Sequence, residues 1–182
     1  MGELMSDVVL GEGKFLRLVS KNGWECVERK GCTGVVGIIA LTPDNCILLV
    51  EQFRPPIGQM TIEIPAGLVG DVPGEDDRGN PEETAALREL MEETGYAPRE
   101  LTRLFNGPTT TGMSAETITI FFAEHCFPMS QGGGVDDEKI LVHKVPLNEA
   151  FEWICNQAKE GKVIDLKVRM ALLMLCPPFI TR

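Results

Sequence analysis

Histidine is scarce in this sequence: His125 and His143 are the only two, and neither stands in an H-x-x-x-H or mixed Cys/His spacing. That excludes the common zinc centres built on histidine and leaves both residues with a structural reading. The six cysteines (Cys26, Cys32, Cys46, Cys126, Cys155, Cys176) include no C-x-x-C pair, which excludes a zinc ribbon or a dithiol redox motif. Several sit in apolar runs such as Cys46–Val50, so they read as reduced core thiols. Long hydrophobic runs are also missing. Met170–Cys176 is far short of the roughly 20 residues that cross a bilayer, so no membrane segment is expected. The N-terminus, MGELMSDVVLGEGKF, has neither a basic n-region nor a long enough apolar h-region. No signal peptide is recognisable, and a cytoplasmic location is expected. Basic residues are in deficit, 17 Lys plus Arg against 27 Asp plus Glu, giving a net charge of −10 that repels nucleic acid at long range. A small phosphate ligand stays compatible with this balance, because a bound divalent cation inverts the local charge of an acidic pocket.

A chain of 182 residues, 43% hydrophobic, has room for one proper core. Segments 14–20 and 24–30, joined by Lys21-Asn22-Gly23, read as a hairpin, since Asn-Gly supplies the positive φ of a tight turn. Gly34–Thr42 and Cys46–Phe53 are β-branched apolar runs separated by Pro43-Asp44-Asn45, the pattern of strands buried on both faces. A short strand, Met60–Ile64, is expected to end at Pro65-Ala66-Gly67. Residues 70–80 are loop by their Gly, Asp and Pro content. Asn80 then reads as an N-cap, Pro81 as the first helical residue and Glu83 as the capping-box partner, with the helix running to Glu93 or Thr94 and stopping at Gly95. Strands at Thr117–Glu124 and Ile140–Val145 flank a loop, Ser130–Gly134, whose glycines suggest mobility. Helices from about Asn148 to Lys159 and from about Ile164 to Leu175 close the chain.

Within the helix that begins at Pro81, Glu89 and Glu93 lie four apart on one face, with Glu92 beside them. Stacked like charges weaken a helix, and a Mg²⁺ site is one reason to keep them, because hard cations take carboxylate oxygens. A solvated acidic face with Arg88 paired to Glu92 is the alternative.

The wider pattern is Gly74, five residues, Asn80, seven residues, then Arg88-Glu89-Leu90-Met91-Glu92-Glu93-Thr94-Gly95-Tyr96. It resembles the Nudix box, G-x5-E-x7-R-E-U-x-E-E-x-G-U, with Asn80 standing where the box has its first Glu. Glu51–Pro55 and Glu63–Gly67 resemble segments of the ADP-ribose pyrophosphatase and nucleoside diphosphate sugar hydrolase branches. The resemblance implies an α/β fold, an α-β-α sandwich around a mixed sheet with an N-terminal β-hairpin, divided into a strand pair at 1–33 and a hydrolase domain at 34–182. It implies Mg²⁺, or Mn²⁺ in its place, held by Glu89, Glu92, Glu93 and the Ala66 carbonyl. It implies Arg54 and Glu63 as substrate-binding residues. Glu138 would be the base or a further metal ligand, with Asp136 as second choice and Glu92 as a further catalytic carboxylate; an ordinary acidic surface loop is the alternative. Asp165-Leu166-Lys167 resembles the Asp-x-Lys of the sugar hydrolases, so Asp165 and Lys167 are implied to bind substrate; a helix-dipole aspartate with a solvated lysine is the alternative. The implied reaction is hydrolysis of a nucleoside diphosphate sugar, with ADP-ribose as the alternative substrate and a non-catalytic nucleotide-binding regulator as a second alternative. The apolar N-terminal hairpin implies a homodimer.

Overall fold

The computed structural model describes residues 7–74, 79–135 and 139–175. Along the chain run β1 (Val8–Glu12), β2 (Leu16–Lys21), β3 (Trp24–Arg29), β4 (Gly34–Leu41), β5 (Cys46–Arg54), β6 (Gln59–Glu63), β7 (Ala66–Val69), α1 (Pro81–Thr94) and β8 (Tyr96–Ala97). There follow β9 (Glu100–Pro108), β10 (Thr117–Glu124), β11 (Phe127–Pro128), β12 (Leu141–Pro146), α2 (Ala150–Lys159), β13 (Val163–Ile164) and α3 (Leu166–Leu175).

The central sheet has the order β13-β6-β5-β4-β10-β9, with β12 also pairing β5 and β7 also pairing β4. It is mixed: β10 runs parallel to β4 and β13 parallel to β6, while the other pairs are antiparallel. Strand β4 explains the sandwich. Val36, Ile38 and Ala40 pack with Leu48, Ala85, Ala86 and Leu90 against α1, while Ile39 packs with Ile47, Leu49, Ile154, Val168 and Leu172 against α2 and α3. Side chains alternate across a strand, so a continuous apolar run serves both layers, and the expected α-β-α arrangement with a mixed sheet is the one observed.

Helix α1 begins as its sequence dictates. The Asn80 side chain accepts from the Glu83 N–H at 3.4 Å while its amide donates to Glu83 Oε2 at 3.3 Å, a reciprocal cap of about 1 kcal/mol. Gly95 closes the helix at φ 77°, its N–H returning to the Met91 carbonyl.

Four expectations gain detail. The N-terminal unit is a three-stranded sheet, because β1 pairs β2 in front of the β2–β3 hairpin. The strand expected at Met60–Ile64 ends before Pro65 as expected, at Glu63, but the chain re-enters the sheet at once: β7 starts at Ala66 and pairs β4, with Gly37 opposite Ala66. The glycine run at 130–134, expected to be mobile, is hydrogen-bonded to the end of α1. Gly133 and Gly134 donate to the Glu93 and Glu92 carbonyls at 2.9 and 3.0 Å, and Met129 and Ser130 donate to the Gly95 carbonyl. These bonds satisfy the carbonyls that a helix end leaves open. Glycine is needed there for contact, since a Cβ on Gly132 would stand 2.3 Å from the Thr94 carbonyl carbon. Finally, His143 keeps the structural reading: its ring packs against Trp153 and its Nε2 bonds Glu51. Cys46 and Cys126 are buried free thiols, as expected, but Cys26, Cys32 and Cys155 are only half-buried, and Cys176 lies outside the described residues. No helix among the described residues is long and apolar enough to cross a membrane.

Candidate functional site

On the α1 side of the sheet, the ends of β5, β6, β7 and α1 surround a cavity of about 510 Å³. Arg54, Glu63, Ala66, Glu89, Glu93 and Lys167 line it together. They come from five elements spread over most of the chain, and the topology alone brings them to one place.

Glu93 is 5% exposed and its Oε2 accepts the Ala66 N–H at 3.0 Å, which fixes the carboxylate against the start of β7. Glu89 lies one helical turn earlier with its side chain only 12% exposed. Burial is the main cause that pushes its carboxyl up to about 7, with Glu92 and Asp71 adding to it, against the opposing pull of Arg88. Gly67 makes room for that carboxylate, since a Cβ there would stand 1.8 Å from Glu89 Cδ.

Arg88 is the hub beside this pair. Its Nη1 donates to Glu89 Oε1 at 2.8 Å and to Glu92 Oε2 at 3.1 Å, and its Nη2 donates to the Leu68 carbonyl and to Asp71. The i,i+4 pairing of Arg88 with Glu92, the alternative weighed from the helix periodicity, is therefore formed. Glu92 does not line the cavity. Among the described residues, no three acidic, histidine or cysteine side chains converge as a ready metal cluster. The donor chemistry nonetheless fits a hard divalent cation: a half-buried carboxylate that burial pushes up, Glu89, a buried carboxylate on the same helix face, Glu93, and Ala66 beside them in the cavity wall. A cation there would offset the burial cost that raises Glu89.

Arg54 is paired across the strands with Glu63. Lys167 lines the cavity, whereas Asp165 does not; its Oδ1 accepts the Lys167 N–H at 2.7 Å and its Oδ2 accepts from Lys167 Nζ at 2.7 Å. Asp165, expected to bind substrate, here bonds Lys167. Asp136 and Glu138 lie outside the described residues.

Other lining residues escaped the sequence reading. Gln52 sits two positions before Arg54 on the same strand face, a period-2 signal that was available. Arg29, Thr109 and Glu116 gave no local signal. Arg29 reaches the cavity from β3, its Nε donating to Glu116 Oε1 at 2.7 Å, so the N-terminal sheet supplies part of the wall.

The NUDIX domain family model matches residues 33–165. The chain is 36% identical over 143 residues to "Methanol dehydrogenase activator" of Bacillus methanolicus and 33% identical over 143 residues to "ADP-ribose pyrophosphatase" of Bacillus subtilis (strain 168), covering 78% of this chain and 71% of the relative in both cases. It is 30% identical over 190 residues to "GDP-mannose pyrophosphatase" of Cronobacter sakazakii, covering 93% of this chain and 92% of that one. A solved structure described as an ADP compounds hydrolase shares the fold, with a TM-score of 0.70 at 18% identity over 94% of this chain and 90% of that chain. The chain belongs to the Nudix family and is a hydrolase.

Proposed function

We propose that this hydrolase cleaves the diphosphate linkage of nucleoside diphosphate sugars, with Mg²⁺ or Mn²⁺ as its cation, giving a nucleoside monophosphate and a sugar phosphate. The observation that carries this reading is the cavity that joins a half-buried and a buried carboxylate, Glu89 and Glu93, to two cations, Arg54 and Lys167. Such a mixed wall suits a polyanion bound together with a divalent metal, and the GDP-mannose pyrophosphatase of Cronobacter sakazakii is similar over nearly the whole chain.

In this reading Glu89, Glu93 and the Ala66 carbonyl hold the cation, with Glu92 completing the set once Arg88 yields it. The cation, when bound, supplies charge neutralisation of the diphosphate and acidifies water. Arg54 and Lys167 grip the phosphates, Glu63 orients Arg54, and Asp165 orients Lys167. Glu138, with Asp136 as second choice, accepts the proton of the attacking water. Attack on one phosphorus breaks its bond to the bridging oxygen, and the other phosphate leaves with that oxygen. Positioning and charge stabilisation supply most of the rate. The exposed Val8, Leu10, Leu16 and Leu18 of the N-terminal sheet support a homodimer formed through that sheet.

ADP-ribose is the second substrate reading, favoured by the 33% identical ADP-ribose pyrophosphatase of Bacillus subtilis. Phosphatase-coupled hydrolysis of GDP-mannose, ADP-glucose, UDP-glucose and ADP-ribose, with and without Mg²⁺, separates the two. A preference for nucleotide hexoses supports the first, and a preference for ADP-ribose alone replaces it. Absence of metal-dependent cleavage of all four would favour a nucleotide-binding regulator.

A further inference from the structure

Glu51 is a charged residue in the core that the chemistry above does not use. It is 5% exposed, and it shares the sheet face of Ile47 and Leu49, which pack against α2 and α3. Gln52 and Arg54 point the other way, into the cavity. Its Oε2 accepts from His143 Nε2 at 2.8 Å and from Lys162 Nζ at 2.8 Å. Lys162 also donates to Gln157 Oε1 of α2 at 2.6 Å. One carboxylate therefore links β12, β5, α2 and the residue that enters β13.

Strand β13 needs such support. It has two residues, and only Val163 opposite Thr61 and Ile164 opposite Ile62 pair it to β6. The next residue, Asp165, donates its N–H to the Ile62 carbonyl at 3.0 Å and carries Lys167 into the cavity through its own carboxylate. Two backbone pairs at a sheet edge hold a segment weakly. A salt bridge with a 7% exposed carboxylate and a 23% exposed ammonium, reinforced by His143, adds a charge-assisted anchor immediately before it.

We propose that Glu51 and Lys162 are positioning residues for substrate binding: acting from the sheet face opposite the cavity, they fix β13 and so set where Lys167 meets the substrate phosphates. The role of Lys167 rests on the substrate reading above; the anchoring of β13 does not.

The test uses the full chain with Glu51→Gln, Lys162→Met and Lys162→Arg, and measures steady-state kinetics on the best nucleotide sugar together with amide hydrogen exchange. Lys162→Met guards against a Glu51→Gln protein that fails to fold. Glu51→Gln and Lys162→Met should raise KM about tenfold, or about 1.4 kcal/mol, with kcat within about twofold. Both should lose exchange protection at residues 163–168 while the β10 amides stay protected. Lys162→Arg should keep both properties. Unchanged protection at 163–168, or loss spread evenly through the sheet, would overturn the anchoring. Local loss of protection with unchanged KM would overturn the link to substrate. If the wild-type protein cleaves no nucleotide sugar, the exchange pattern still decides the anchoring, and it is the substrate reading that fails.

Discussion

Arg54 on β5 and Glu63 on β6 meet in two parallel hydrogen bonds, Nε to Oε1 at 2.6 Å and Nη2 to Oε2 at 2.7 Å, which fix the plane of the guanidinium at the cavity wall. The Glu63 side chain is 5% exposed and that of Arg54 43%, so the glutamate is the buried anchor and the arginine its presented group. Glu63→Gln removes the charge and one acceptor while preserving shape. KM for the diphosphate substrate should rise about tenfold, with kcat changed less, because a bidentate hold on Arg54 is worth on the order of 1–3 kcal/mol. Steady-state kinetics check this, and an unchanged KM would remove Arg54 from the substrate contacts.

Glu93→Gln keeps an oxygen that can accept the Ala66 N–H but loses the charge. Turnover should fall by about 10³-fold or more, the scale of losing a main charge-stabilising group, with an unaltered circular dichroism spectrum. A variant retaining near-wild-type rate would refute the site.

Glu89 ties stability to pH and to metal. Its carboxyl is held up to about 7 in the fold against an ordinary value of 4.5. Between those values the folded state binds a proton that the unfolded state has lost. Without cation, stability therefore falls as pH rises through this window, by on the order of 3 kcal/mol at most. Thermal melts should show Glu89→Gln gaining on the wild type from pH 5 to pH 8, and Mg²⁺ should raise the wild-type Tm more at pH 8 than at pH 5. Equal Mg²⁺ effects at both pH values would count against Glu89 as a ligand.

Gly67→Ala would drive a methyl into the Glu89 carboxylate. The displaced group is the end of a flexible side chain, so the fold should survive with a loss of about 1–3 kcal/mol. Mg²⁺ affinity, read by titration calorimetry, should drop at least tenfold. Wild-type affinity would show that Glu89 holds no metal.

Glu51 responds to acid in the opposite sense. Burial raises its carboxyl, but the bonds from Lys162 and His143 outweigh that and hold it below the usual carboxylate range. A lowered folded value gives stability that is present above the ordinary 4.5 and is lost as pH falls through the lower value. Urea unfolding from pH 7 to pH 3 should be flatter for Glu51→Gln than for the wild type.

Local chemistry carried much of this molecule into view. Asn80, Pro81 and Glu83 start α1, Gly95 stops it, and a 3.6-residue period stacks Glu89 over Glu93; each depends on neighbours within about one helical turn, which a sequence displays directly. The apolar runs of β4 and β5 gave the buried strands for the same reason. Contacts between distant segments were not legible. That Arg29 of the N-terminal sheet reaches the cavity wall, that Lys162 meets Glu51, and that the 130–134 glycines bond the end of α1 all depend on packing between segments far apart in the chain. The sequence by itself determined the box, its helix and the strands that frame it, because caps, periodicity and turn residues act over short range. Only the tertiary structure decided which face each charge occupies, placing Arg54 in the cavity and Glu51 beneath it, because strand register sets the face and is fixed by the pairing of whole strands.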